Sequence, residues 1–223
     1  MNAPVRTLNF HGIGTPGPGI DASEVPYWID IALFDALVDE LARPEFGRTW
    51  ITFDDGNLSD LSIAAPRLAA RGLAARVFVL TGRIGTPGYL DEPDIRELLR
   101  MGFVIGSHGQ DHLNWASLAG DPLRRETADS RARLEALLGR PVTEAAIPFG
   151  SYNRAVLSAL RSAGYTVAWT SDGGDMNPSA FLRPRLSVRS GMTVNSVRHA
   201  LLGPISPARR LRRALAMARK RFL

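Results

Sequence analysis

Strand-like and helix-like stretches alternate along the whole chain, and no two-residue hairpin signal interrupts them. Strand patterns fall at 5–10, 50–53, 75–80, 103–106, 144–147, 166–169 and 186–188. Helical patterns lie between them, at 29–41, 62–71, 91–101, 122–138, 154–162 and 194–202. A strand that reaches its neighbour only through a helix pairs in parallel, by a right-handed crossover. The chain is therefore an α/β protein with parallel strands. Its 223 residues, 45% of them hydrophobic, are enough for one sizeable core. Periodicity alone leaves a barrel and an open sheet as alternatives. In both, polar residues at strand C-terminal ends gather on one face, and here these are His11, Asp54, Asp55 and His108, with Asp175 nearby.

Two motifs carry the chemistry. Thr52-Phe53-Asp54-Asp55-Gly56 reads as a buried strand ending in adjacent carboxylates. Neighbouring carboxylates repel unless a cation or a shared proton relieves them. Their side chains leave a strand in opposite directions, so a metal can hold one while the other moves a proton. The bland reading is a strand-to-turn junction, where Asp-Gly is common. The second motif is Ser107-His108-Gly109-Gln110-Asp111-His112. Histidines four apart face one side of a helical turn, and a carboxylate with two imidazoles is a metal set that leaves positions open. Asp55, His108 and His112 make that set. No cysteine is present, which excludes a thiolate site or a disulfide scaffold. His11 stands alone after the first strand; its near-neutral pKa suits proton transfer, although a lone histidine is more often structural.

These motifs resemble those of the polysaccharide deacetylase family, the NodB-homology or carbohydrate esterase family 4 proteins. The resemblance implies a distorted (β/α)7 TIM-like barrel over roughly 5–188. It implies Asp54 as general base, Asp55, His108 and His112 as ligands of one divalent metal (zinc first, with cobalt, nickel or iron as alternatives), and His11 as general acid. Ile147-Pro148-Phe149-Gly150 is similar to the third family motif, where the Phe149 backbone N–H would face an oxyanion. Many members carry an arginine two residues before that proline to steady the catalytic aspartate; here the position is Ala146. Leu8-Asn9-Phe10-His11 at the N-terminal side resembles a circularly permuted branch. Trp169 is expected to line the substrate groove and Asp175 to support His11, with Asp172 as its rival. The implied activity is metal-dependent removal of an N-acetyl group from a glycan or sugar-containing precursor. Competing readings are an esterase or amidase on another acyl substrate, and a catalytically silent glycan-binding domain.

Charge is uneven. The net charge is +5, and no Asp or Glu occurs after Asp175. The sequence predicts a catalytic domain over 1–206 and a basic amphipathic helix over 207–223. Met1–Arg6 carries no cationic-then-apolar leader. The default expectation is cytoplasmic, with peripheral contact between the C-terminal helix and an anionic membrane at its inner face. The expected partner is an acetylated carbohydrate or sugar conjugate. No nucleic acid is expected, since nothing but charge points to one.

Overall fold

The computed structural model describes residues 5–17, 19, 20 and 22–222. The first four residues, on which the reading of an absent leader largely rests, lie outside them, as does Leu223. The strands are β1 (Arg6–Phe10), β2 (Thr49–Phe53), β3 (Arg76–Val79), β4 (Val104–Ser107), β5 (Glu144–Ala146), β6 (Val167–Thr170), β7 (Leu182–Pro184) and β8 (Leu186–Ser187). All pair in parallel, in the order β7-β6-β5-β4-β3-β2-β1-β8. β7 and β8 are one extended segment interrupted at Arg185. Its first half pairs with β6, Ala168 opposite Leu182, and its second half with β1, Leu8 opposite Leu186. Arg185 N–H still donates to Thr170 O at 2.9 Å, while Val188 N–H donates to Asn9 O at 2.8 Å. The segment thus stands between β6 and β1 and nearly closes a (β/α) barrel. The last strand begins earlier than the 186–188 expected from sequence and is split in two.

Helices α1 (Ile31–Leu41), α2 (Ala65–Ala69), α3 (Glu92–Arg100), α4 (Gly120–Arg124), α5 (Ser130–Leu138), α6 (Arg154–Ser162), α7 (Val194–Leu202) and α8 (Pro207–Phe222) follow. α1 starts where the Asp30 carboxylate accepts from Leu33 N–H, and it buries Phe34, Leu37, Val38 and Leu41 on one face. Phe34 packs edge-on against Phe10 of β1, ring centroids 5.3 Å apart, and Phe10 stacks on Phe53 of β2 at 5.4 Å. Burying each such ring contributes roughly 1.5–3 kcal/mol, and the trio fixes the two strands that carry His11 and Asp54. The helix expected over 122–138 is instead α4 and α5 joined by a π-helical turn at 125–129, and the one expected at 62–71 opens with a π turn at 60–64. Such turns re-aim a helix within its run.

Inside the barrel, alternate strand residues stack in layers. The layer beneath the site contains Trp50, Phe78, Ala146 and Trp169, closed by Arg76, which pairs with Glu144 at 3.0 Å and lies over the Trp50 ring at 4.1 Å. α8 does not project from the barrel. It packs against α6, and Lys220 Nζ donates to Gly150 O at 2.9 Å and pairs with Asp172 at 2.7 Å. Arg213 donates to Asp175 O at 3.3 Å, and Arg210 pairs with the Asp175 carboxylate at 3.6 Å. These cations are engaged by the barrel's own loops, so the expected membrane contact has no support from them. No helix among the described residues is long and apolar enough to cross a membrane.

Candidate active site

The site lies where β1, β2 and β4 end. Asp54 continues the β2 ladder, its N–H donating to Phe10 O at 3.0 Å, so its carboxylate stays inside the barrel mouth. Asp55 then turns into the left-handed region, φ 76°, followed by Gly56 at φ 70°. Three non-glycine residues among those described have positive φ: Asp55, His112 and Phe149. All three line one cavity of about 740 Å³, together with His11, Glu24, Tyr27, Asp54, His108, Asp172, Arg185, Arg189 and Arg209. Backbone strain of this kind concentrates where side chains are held for function.

His108 follows β4 directly, its N–H donating to Val79 O at 2.9 Å. Its Nδ1 bonds Ala146 O at 2.9 Å, which turns Nε2 toward Asp55 Oδ1, 3.5 Å away. His112 presents Nε2 to the same oxygen at 3.7 Å, and its Nδ1 faces Glu24 Oε1 at 3.8 Å. The two histidines do not share a helical turn, as their spacing predicts. Gly109 (φ 94°) and His112 (φ 57°) bend residues 108–112 into a loop. That loop is pegged by the buried Glu126 carboxylate, which accepts from Gln110 N–H at 3.1 Å, Asp111 N–H at 2.9 Å and Trp115 Nε1–H at 3.0 Å. One ligand atom from each of Asp55, His108 and His112 lies within 4.8 Å of the others. Both Asp55 oxygens are buried without a hydrogen-bond partner. Burial, with Glu24 and Asp54 adding to it, pushes the Asp55 carboxyl well above its usual range. Burial likewise lowers His108, and lowers His112 to about 3, which keeps both imidazoles neutral and free to donate a lone pair. An orphaned carboxylate between two neutral imidazoles fits a divalent cation.

Asp54 is the other kind of carboxylate. Burial pushes its pKa up, but Arg185, His108 and His11 outweigh burial and hold it below the usual range. Arg185, 1% exposed, forks onto it, Nη1 to Oδ1 at 2.6 Å and Nη2 to Oδ2 at 2.8 Å. Asn9 Nδ2 donates to Asp54 Oδ2 at 2.9 Å, and Arg185 Nη1 also reaches Asn9 Oδ1 at 2.8 Å. The guanidinium lies over the Phe78 ring at 5.4 Å, and Phe78 also packs against Ala146. Arg185 therefore gives Asp54 the guanidinium partner that Ala146 cannot, from a residue much later in the chain. In sequence it is one of many arginines in the stretch after Asp175 that holds no acidic residue. The available signal was an arginine just before the strand-like 186–188 run, in a chain whose Asp54 had no assigned cation.

His11 Nε2 lies 4.0 Å from Asp54 Oδ2, and its ring stacks on Tyr27 at 4.7 Å. Burial lowers its pKa to about 4, opposed by Asp54 and reinforced by Arg185. Gly12 follows because the Trp28 indole occupies the space a β-carbon would need. Phe149, 62% exposed, lies over His112 with ring centroids 4.6 Å apart. Two expected residues are elsewhere. Trp169 is fully buried in the layer beneath the site, its Nε1–H donating to Glu144 at 2.8 Å, and it cannot line a groove. Asp175 is held by Arg6 at 2.9 Å and by Arg210, outside the cavity lining. Asp172 lines the cavity instead, bonded to Tyr152 and Thr170. Glu24, Arg185 and Glu126 were not anticipated.

The chain is similar to known proteins in sequence and in fold. The family model described as polysaccharide deacetylase matches residues 42–168, more than half of the chain. YxkH of Bacillus subtilis (strain 168), whose name places it with the polysaccharide deacetylases, is 30% identical over 145 residues, 64% of this chain and 52% of its own length. The chain thus spans about half the length of this curated relative. The fold is that of the Streptococcus pyogenes deacetylase PplD, solved in complex with acetate (TM-score 0.77, 20% identity, 90% of this chain and 99% of that one). It is also that of IcaB from Ammonifex degensii (TM-score 0.75, 23% identity, 91% and 98%). With the matched span holding Asp54, Asp55, His108 and His112, the chain belongs to the polysaccharide deacetylase family.

Proposed function

We propose that the protein is a metal-dependent hydrolase that removes an N-acetyl group from a glycan or a sugar-containing precursor and releases acetate. The observation that carries this reading is the pairing of an ionised, arginine-held Asp54 with the orphaned Asp55 carboxylate beside two neutral imidazoles. Asp55, His108 and His112 would hold the metal, for which zinc is the first choice and cobalt, nickel or iron are alternatives. When bound, such an ion supplies a Lewis acid that acidifies water and polarises a carbonyl.

The protein's own groups do the rest. Asp54 Oδ2 accepts the proton of the attacking water. A carboxyl whose pKa is held low is a strong acid once protonated, and it gives that proton up readily. His11 Nε2, 4.0 Å away and neutral at rest, is placed to pass it to the departing nitrogen as the C–N bond breaks. The resemblance implies an imidazolium acid; the buried site favours a histidine that is protonated during turnover. The Phe149 backbone N–H, held in left-handed geometry at the cavity wall, would donate to the carbonyl oxygen as it gains charge. We read the barrel as the catalytic unit and α8 as packed onto it.

Acetate release from matched N- and O-acetylated sugars by zinc-loaded protein, beside Asp54→Asn, tests the reading. Release from the N-acetyl compound that is lost in the variant supports it. Release only from O-acetyl esters, or equal release by the variant, overturns it.

A further inference from the structure

Taking the deacetylase reading as its basis, we infer that the acetylated sugar carries a phosphoryl group, bound by Arg189 and Arg209 on the rim of the catalytic cavity. The charges lining that cavity lead to this. Each of its carboxylates is accounted for: Glu24 pairs with Arg83 at 2.9 Å, Asp54 with Arg185, Asp172 with Lys220, and Asp55 faces the two imidazoles. Of the arginines in the lining, Arg185 is committed to Asp54. Arg189 and Arg209 are exposed, and among the described residues neither has a carboxylate within ion-pair distance. The cavity therefore presents two uncompensated cations toward whatever fills it.

Both are placed by structure. Arg189 follows Val188, the residue that continues the β8 ladder, and Ser190 N–H donates to Pro26 O at 2.9 Å. Its guanidinium covers the Tyr27 ring at 4.7 Å, and Tyr27 stacks on His11, so this cation stands one ring away from the proton-transfer group. Arg209 is brought in by α8. Three other cations of that helix, Arg210, Arg213 and Lys220, fasten it to the loops after β5 and β6, with Arg209 in the cavity wall. Guanidinium groups bind phosphate oxygens with a planar fork of donors, and two of them match a dianion. A neutral glycan would offer neither arginine an anionic partner. The volume, about 740 Å³, accepts a sugar with its phosphoryl group.

The test separates this inference from the reading it rests on. Calorimetry on metal-free, full-length protein compares N-acetylglucosamine, its 1-phosphate, a nucleoside-diphosphate-linked N-acetylglucosamine and an N-acetylated uronic acid. Metal-free protein is used so that coordination by phosphate contributes nothing. The expected result is binding of one or both phosphoryl compounds about tenfold or more tighter than the neutral sugar. That preference should be lost in Arg189→Gln/Arg209→Gln protein of unchanged circular dichroism. The two phosphoryl arms tell a terminal phosphate from a carrier diphosphate. Equal binding of neutral and phosphoryl sugars, a preference surviving in the double variant, or a preference for the uronic acid each overturns the inference. Acetate release is measured separately on zinc-loaded protein. Turnover without phosphoryl preference would leave the deacetylase and remove the anion subsite. Phosphoryl-dependent binding without turnover would do the reverse.

Discussion

Replacing Arg185 by methionine tests the site most sharply, because the substitution keeps an unbranched apolar stem and removes the charged guanidinium fork. Two charge-assisted hydrogen bonds, at 2.6 and 2.8 Å, are lost from a carboxylate that is itself buried. Leaving one member of such a pair without its partner costs about 3–5 kcal/mol. For a chain of this size, that lowers the melting temperature by roughly 6–20 °C. Part of the cost is avoided if Asp54 binds a proton, since burial, the largest influence on it, then goes unopposed by Arg185. A protonated Asp54 accepts nothing from water, so kcat/KM for acetate release should fall by about 10²-fold or more near neutral pH. The loss should shrink as pH rises and the carboxyl ionises again. In the parent protein Asp54 is ionised throughout the working range and contributes no acid limb. The assay is kcat/KM between about pH 5 and pH 9 for parent, Arg185→Met and Arg185→Lys, with thermal melts alongside. An Ala146→Arg/Arg185→Met protein adds a second arm: both positions border Phe78, so an arginine returned at 146 should recover part of the activity. A methionine variant whose pH profile overlays the parent's, at any stability, would refute the role of Arg185.

Glu24→Gln should weaken zinc binding by about 10–100-fold, read by competition with a chromophoric chelator, because the carboxylate facing His112 Nδ1 orients that ring; an unchanged affinity would reject this. His11 has a folded pKa lowered to about 4 against 6.5 unfolded, so the unfolded chain binds more protons between those values. Metal-free protein should therefore lose stability as pH falls through that window, and His11→Gln should flatten part of the loss in urea titrations; an identical slope would be the contrary result. Trp169→Leu should cost about 2–4 kcal/mol of stability while leaving KM for the sugar unchanged, since the indole lies in the layer beneath the cavity. A raised KM would return Trp169 to the groove.

What could be read from the residues, and what could not, follows from distance along the chain. Asp54 and Asp55 were legible because a strand of known polarity ends at them, and a parallel α/β protein gathers such ends on one face. His11 and His108 were legible for the same reason. The geometry of His112 was not: histidine spacing suits a helical turn, and only the left-handed backbone at Gly109 and His112 shows that the loop is built otherwise. Arg185 was hidden because its partner is 131 residues away and its neighbours Arg183 and Arg189 look the same in sequence. Trp169 and Asp175 were misplaced because resemblance located their segment without saying which face of β6 Trp169 takes or which cations would reach Asp175 in the loop beyond it. The split of the last strand depends on which neighbour each half meets, a fact that no local pattern contains.

That split strand also orders events in time. β1 and β2 are separated by one helix and can pair as soon as about fifty residues have been made. The other edge of β1 stays open until Leu186 is available, and the same short segment brings the guanidinium that steadies Asp54. A growing chain therefore passes through a stage with an uncovered strand edge and a proton acceptor that lacks its guanidinium. Activity should be the last property to return on refolding, lagging behind tryptophan burial, and the lag is a property of connectivity rather than of any single contact.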